Sequence, residues 1–217
     1  MAESGYITSP VHMVLRLGLE ELGFIFPEET EQRLLRFLEL LAKWNEAYNL
    51  TAVRDPVEMV THHVLDSLAI RPFLKGPRIL DVGTGAGLPG IPLAITRPQY
   101  QFTLLDSNAK KTRFVTQVKL EMGLDNVEVV TARVEKYRPD RKFDTLVTRA
   151  FASLAEMLAL SGHLLADDGE FLAMKGAYPQ DELEQVTAPF HVAEVCELVV
   201  PGLGARRHLV RIVKQSD

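Results

Sequence analysis

Asp81-Val82-Gly83-Thr84-Gly85-Ala86-Gly87-Leu88-Pro89-Gly90 follows directly on a short apolar run, Arg78 to Gly83, and sets four glycines within eight residues. Glycines at a strand-to-helix turn let the backbone bend sharply and approach a ligand with no Cβ in the way, beside a helix N-terminus that favours polar ligand groups. Two frames fit. Gly83, Gly85 and Gly87 form G-x-G-x-G preceded by an acid, the pattern of Rossmann-like methyltransferases. Gly85, Gly87 and Gly90 form G-x-G-x-x-G, the dinucleotide fingerprint. The loop alone does not choose between them.

Downstream, apolar runs alternate with helical windows. Gln101 to Asp106, Val127 to Val134, Phe143 to Arg149 and Glu170 to Lys175 read as strands, and Asn108 to Met122 and Ser153 to Leu165 as helices. Such alternation calls for a parallel sheet covered on both faces. The last two runs, Val192 to Val200 and Arg207 to Val213, are joined only by Pro201-Gly202-Leu203-Gly204-Ala205. That link is too short for a parallel crossover, so the chain is expected to finish in an antiparallel hairpin.

Upstream, the chain reads helical. Leu34, Leu38, Leu41, Trp44 and Tyr48 recur at spacings of three or four from Glu28 onward and mark a buried stripe, with a solvated acidic face opposite. Asp55-Pro56-Val57-Glu58 opens a second helix with Asp as cap and Pro in the first turn; Val57, Val60, Val64 and Leu68 form its apolar face. Pro72 and Gly76-Pro77 end it. The expected organisation is a helical cap over 1–76 and a compact α/β unit over 77–217, a mostly parallel sheet with an antiparallel C-terminal hairpin.

Composition narrows the class. Of 217 residues 47% are hydrophobic and 24% charged, ordinary for a globular protein. No window holds eighteen uncharged apolar residues, and Met1 to Gly18 lacks the order of a signal peptide, so a cytoplasmic protein without a membrane segment is expected. The single cysteine, Cys196, excludes an internal disulfide and a cysteine-based zinc pattern, and reads as a small apolar residue of a late strand. The net charge of -5 argues mildly against nucleic acid, but the charge is uneven. Residues 1–76 hold 7 lysines and arginines against 11 acids, whereas 106–149 hold 10 against 7, from Lys110 to Arg149. A second basic knot is Arg206, Arg207, Arg211 and Lys214.

Several side chains carry two readings. Asp106, at the end of the second strand, is placed to accept from ribose hydroxyls, or to cap the next helix beside Ser107-Asn108. His62, His63, Asp66 and Ser67 share the polar side of one helix; the ligands for a metal are too few, so polarising a substrate or tying cap to sheet are the better readings. Trp44, Tyr48 and Phe37 suit core packing more than stacking on bases. The final hairpin and the helical segment before the sheet favour methyl transfer over a nicotinamide or flavin enzyme, or over a nucleotide-binding module without catalysis.

Lys43-Trp44-Asn45, Tyr48-Asn49-Leu50-Thr51, His63 with Leu65-Asp66-Ser67, and Asp81 to Gly90 with Ile91-Pro92-Leu93 resemble the RsmG (GidB) family in order and spacing. So do Leu104-Leu105-Asp106-Ser107, Arg133-Val134-Glu135, Arg149-Ala150-Phe151-Ala152, Lys175-Gly176 and Arg207-His208-Leu209-Val210. The matches span about 30 to 213; the first 25 residues lie outside them. The resemblance implies a class I methyltransferase fold and methyl transfer from S-adenosylmethionine to a guanine N7 of 16S rRNA, with that RNA or the small ribosomal subunit as partner and no metal. It places cofactor contacts at Gly83, Leu88, Val134, Glu135 and Arg149. Arg149 then orients the cofactor carboxylate or the guanine, and Lys175 a phosphate, unless both are structural ion-pair partners. Ser107-Asn108 leaves no bulky apolar residue after Asp106 to hold an adenine.

Overall fold

The computed structural model describes residues 9–149, 151 and 153–215; Ala150 and Ala152 of the family resemblance lie outside the described residues. Two long helices come first, α1 (Pro10–Glu21) and α2 (Glu28–Tyr48). Then α3 (Pro56–Met59) runs through a π-helical stretch (Val60–Leu65) into α4 (Asp66–Leu68). Asp55 caps α3, accepting from the amides of Val57 and Glu58 at 2.8 and 3.0 Å, as its sequence position predicts.

The remainder alternates: β1 (Arg78–Val82), α5 (Gly90–Thr96), β2 (Gln101–Asp106), α6 (Ala109–Met122), β3 (Val127–Thr131), β4 (Phe143–Thr148), α7 (Leu154–Ser161), β5 (Leu165–Lys175), α8 (Gln180–Leu183), β6 (Phe190–Leu198) and β7 (Arg207–Lys214). The seven strands form one sheet in the order β3-β2-β1-β4-β5-β7-β6. Neighbours among the first five pair parallel; β7 runs antiparallel to β5, and β6 antiparallel to β7. The hairpin expected from the short 201–205 link is therefore present, and β7 enters the sheet ahead of β6. Several boundaries differ from the sequence reading: β6 spans Phe190–Leu198 in place of Val192 to Val200, and α7 ends at Ser161 in place of Leu165. β3 ends at Thr131 because Val134 belongs to a 3-10 turn, Val134–Lys136, and β5 begins at Leu165 because Leu165 still pairs with Phe143.

Side chains alternate across the strands and bury two cores. One joins Ile79, Phe102, Leu104 and Leu172 to the N-terminal helices, α5 and α6. The other joins Leu80, Leu105, Leu146 and Phe171 to Leu154, Met157 and Leu158 of α7. The N-terminal helices thus share a core with one face of the sheet. Leu34, Leu38 and Leu41 lie in it and half-buried Trp44 packs against it, but the stripe ends there: Tyr48 is 36% exposed. Nor is the acidic face of α2 wholly solvated, since Glu31 is buried 3.0 Å from Nε2 of His12 on α1. Cys196 sits partly buried in β6 against the first core.

Candidate functional site

Five parallel strands end at one edge of the sheet, and there the glycine loop folds back over β2. The amides of Gly83 and Thr84 donate to the carbonyl of Leu105 at 2.8 and 3.0 Å, pinning the loop between β1 and β2. Gly83, Gly85 and Gly87 all adopt left-handed φ, of 72°, 58° and 80°. At Gly85 a Cβ would face only Gly83 O at 3.8 Å and Lys111 Nζ at 3.9 Å, so the loop leaves free space above its backbone. Gly90 serves another purpose: it starts α5, where a Cβ would stand 2.1 Å from Leu104 Cδ2. The G-x-G-x-G frame therefore shapes the turn, and the last glycine lets helix and strand touch.

Asp81 holds the loop from beneath. Its Oδ2 accepts from Thr84 Oγ1 at 2.7 Å and from the Gly90 amide at 2.8 Å, while Oδ1 has no hydrogen-bond partner among the described residues. Burial pushes its pKa up to about 6, against the lowering effect of those two hydrogen bonds. Asp106 is neither the helix cap nor a free carboxylate. Its Oδ2 accepts from the Gly85 amide at 2.9 Å and Oδ1 from the Asn108 amide at 2.8 Å; Asn108 itself caps α6 through Lys110 N. Asp106 so locks the glycine loop to the end of β2.

Three openings adjoin along this edge. The largest, about 490 Å³, is walled by Gly83, Asp106, Lys111, Val134, Glu135 and Phe151. Its apolar side comes from Val82, Leu105, Val134, Phe151 and Leu160, which answers the lack of a bulky residue after Asp106. A second, about 240 Å³, lies between the glycine loop with Leu88 and the pair Leu50 and Thr51, with His63 and Arg149 in its wall. A third, about 290 Å³, is lined by Asp66, Arg149, Met174, Lys175, Gly176 and Arg207. Gly83 borders the first two and Arg149 the last two, so the openings form one crevice. The site residues expected from sequence all border it, apart from Gly87, whose role is the turn.

The polar side shared by the π-helical stretch and α4 faces inward rather than to solvent. His63, Asp66 and Ser67 are all buried. His63 Nε2 lies 2.9 Å from Thr51 Oγ1, Nδ1 has no partner among the described residues, and burial drives its pKa down to about 4. Asp66 accepts from Arg149 Nη1 at Oδ2 and from Arg207 Nε at Oδ1, both at 2.9 Å. The tie between the N-terminal helices and the sheet edge is thus a carboxylate clamped by two arginines. Lys175 donates to Glu182 Oε2 at 2.8 Å, and the same oxygen accepts from the Leu154 amide. Among the described residues no cluster of three or more metal-ligating side chains occurs, and no helix is long and apolar enough to cross a membrane.

The basic run divides in space. Lys111 and Arg133 line the crevice, with exposed Lys110 next to Lys111 in the chain, whereas the carbonyls of Arg141 and Lys142 accept from the guanidinium of Arg78 at the opposite edge of the sheet. In the second knot Arg207 lines the crevice end, whereas Arg211 pairs with Glu170 and Glu194, and Lys214 with Asp167.

The family model for GidB, rRNA small subunit methyltransferase G, matches residues 30–210. The Ribosomal RNA small subunit methyltransferase G of Nitrosococcus oceani is 54% identical over 199 residues, 92% of this chain and 93% of that protein. The chain belongs to the rRNA small subunit methyltransferase G family. Its Laribacter hongkongensis member is 53% identical, over 91% and 96% of the two chains. Solved structures extend the likeness of this family member at the level of fold. The glycopeptide N-methyltransferase MtfA complexed with S-adenosylmethionine aligns with TM-score 0.61 at 13% identity, over 71% and 88% of the chains. The ribosomal protein L11 methylase of Lactobacillus delbrueckii subsp. bulgaricus aligns at 0.54 and 19%, over 70% and 77%. Family membership decides between the two glycine frames in favour of the methyltransferase, a choice that the antiparallel β7 already favoured. Lys111 and the Asp66 clamp were not assigned to the crevice from sequence; their only sequence signals were a lysine pair and a buried-helix acid.

Proposed function

We propose that this chain transfers a methyl group from S-adenosylmethionine to N7 of a guanine in 16S rRNA, in the cytoplasm, on free RNA or on the small ribosomal subunit. The observation that carries the reading is the glycine-floored crevice at the carboxyl ends of β1 to β4, in a chain of the methyltransferase G family. Open α/β sheets bind ligands at that edge.

The cofactor fits the residues present. Gly83, Gly85 and Leu88 offer backbone at close approach, with Gly87 shaping the turn beneath them. Asp106 uses one acceptor site on each oxygen for the protein and keeps others for ribose hydroxyls. Val134 and Glu135, with Phe151 and Leu160, suit a purine against an apolar wall. Arg149, held by Asp66, faces the cofactor carboxylate or the guanine, and Lys175 a phosphate. S-Adenosylmethionine supplies, when bound, a methyl group on a sulfonium sulfur. Guanine N7 bears an in-plane lone pair and no proton, so the side chains need to align and to exclude water rather than to take a proton. We further propose that residues 1–76 act as a helical cap over the 77–217 unit, with Leu50, Thr51 and His63 closing one wall.

Incubation with labelled S-adenosylmethionine and undermethylated small subunits, followed by mapping of the modified nucleotide, tests the reading. One guanine carrying label at N7 is expected; label absent from RNA, or tight NAD binding without S-adenosylhomocysteine binding in calorimetry, overturns it.

A further inference from the structure

The segment from Lys43 to Thr51 is used by the crevice only at its last two residues. Trp44 and Tyr48, one helical turn apart, stack with ring centroids 5.0 Å apart and planes inclined 29°. Trp44 is supported from below by Phe114 of α6, at 5.7 Å. Tyr48 stays more than a third exposed. Tyr48 is therefore the outer end of an aromatic stack whose inner ring, Phe114, is fully buried, with Trp44 half-buried between them.

Its place in the fold is informative. α2 and α6 run antiparallel, as shown by Arg33 Nη2 on the Met122 carbonyl at 3.0 Å, Arg36 on Glu121 at 3.3 Å, and Trp44 on Phe114. That register brings the last turn of α2, with Tyr48, beside the first turn of α6, with Lys110 and Lys111. Lys111 walls the largest opening, and Leu50 and Thr51 wall the next. The link from Tyr48 to that wall is held firmly. Asn49 closes α2 in the left-handed conformation, φ 49°, and buried Asn45 accepts from the Thr51 amide at 2.9 Å. Arg54 donates to Asn49 Oδ1 at 3.2 Å, and Lys43 is exposed one turn earlier. An aromatic step beside a ligand crevice, flanked by cations, is the chemistry that binds unpaired nucleotides.

We propose that Tyr48, backed by Trp44, is a stacking step for an unpaired base of the RNA strand beside the target guanine. The inference rests on the RNA-methylating reading and adds a contact for the neighbouring nucleotide. Trp44 is the only tryptophan of the chain, so its emission reports the step directly.

The full chain is titrated with a short unpaired guanine-containing RNA oligonucleotide and with the same sequence as a duplex, and methylation of undermethylated small subunits is measured in parallel. The unpaired RNA is expected to quench Trp44 emission and the duplex to leave it unchanged. Tyr48→Leu, which keeps apolar bulk against Trp44, should weaken oligonucleotide binding and raise KM for subunits by roughly five- to 150-fold. Its kcat should fall much less and its S-adenosylhomocysteine affinity should stay that of the parent; Tyr48→Phe should stay close to the parent throughout. Absence of quenching overturns the proposal, as does a Tyr48→Leu chain that binds RNA like the parent, or a Tyr48→Phe chain as weak as Tyr48→Leu. A partner protein at this surface would show as a KM effect on subunits with none on the oligonucleotide, and would equally overturn it. If the parent methylates no RNA the functional reading fails, and the quenching arm still decides for or against the stacking step.

Discussion

Asp66→Asn removes one negative charge from the centre of the crevice wall with almost no change of shape. The Asp66 side chain is 3% exposed and receives two arginines at 2.9 Å, Arg149 with 30% of its side chain exposed and Arg207 with 24%. An asparagine amide would turn an NH2 toward one of two guanidinium groups, which have only donors. Breaking a buried pair by deleting one partner costs about 3–5 kcal/mol. Here both arginines keep contact with water, which recovers part of that, so a loss of about 2–3 kcal/mol is expected. For a chain of this length about 1 kcal/mol moves Tm by roughly 2–4 °C. The variant should therefore melt about 4–12 °C lower, with a lower urea midpoint at unchanged slope. Freed from Asp66, Arg149 should also bind S-adenosylhomocysteine more weakly in calorimetry. In an Arg207→Gln background the same substitution should cost at least about 1 kcal/mol less, since the partner is already gone. A melting point within about 1 °C of the parent, or full additivity with Arg207→Gln, would refute the clamp.

Three further outcomes follow from the same geometry. His63 is held neutral with a pKa of about 4, below its unfolded value near 6.5, so the unfolded chain binds the extra proton in that window and the His63 contribution to stability falls as pH drops from about 6.5 to 4. Asp81, raised to about 6, works in the opposite sense, adding stability as pH falls from about 6 to 4. His63→Gln should hence gain on the parent, by up to about 3 kcal/mol, between pH 7 and pH 4 in urea melts; a constant gap contradicts the buried neutral ring. Single-turnover methylation at saturating RNA should be nearly flat from neutral to mildly alkaline pH, above the Asp81 and His63 ranges, because the nucleophile needs no base; an acid limb abolished by His63→Gln with RNA affinity intact would show proton transfer by the protein. Lys110→Gln should lower the slope of log RNA affinity against log salt by roughly 0.7, and Lys142→Gln, at the opposite edge of the sheet, should leave it unchanged; equal effects would mean that the RNA does not follow the crevice side.

Local chemistry made most of the fold legible. β2 and the cap at Asp55 appear where alternation and capping chemistry predict, because both depend on near neighbours in the chain; at α6 the cap falls to Asn108 and not to Asp106. The glycine loop is likewise local: left-handed φ at Gly83, Gly85 and Gly87 is a property glycine brings to any turn. The short link at 201–205 was enough to predict an antiparallel ending, though not that β7 would sit between β5 and β6. Where neighbours in space decide, sequence reading was incomplete. The helical stripe was extended to Trp44 and Tyr48; Trp44 does pack against the core beside Phe114, but Tyr48, one turn on, stays 36% exposed. The polar group His63, Asp66 and Ser67 was placed on a helix face, yet only the π-helical stretch and the sheet edge turn that face inward.

The amino-acid sequence by itself determined the alternating strands and helices, the glycine turn, the family and the residues from Gly83 to Glu135 that border the crevice, all signals carried by short segments. The tertiary structure alone decided what the charges do. Asp66 meets Arg149 across 83 positions and Arg207 across 141, Lys175 is tied to Glu182, and the basic run from Lys110 to Lys142 is split between opposite edges of the sheet. Ion pairing depends on distance and burial in space, and neither is encoded in the spacing of residues along the chain.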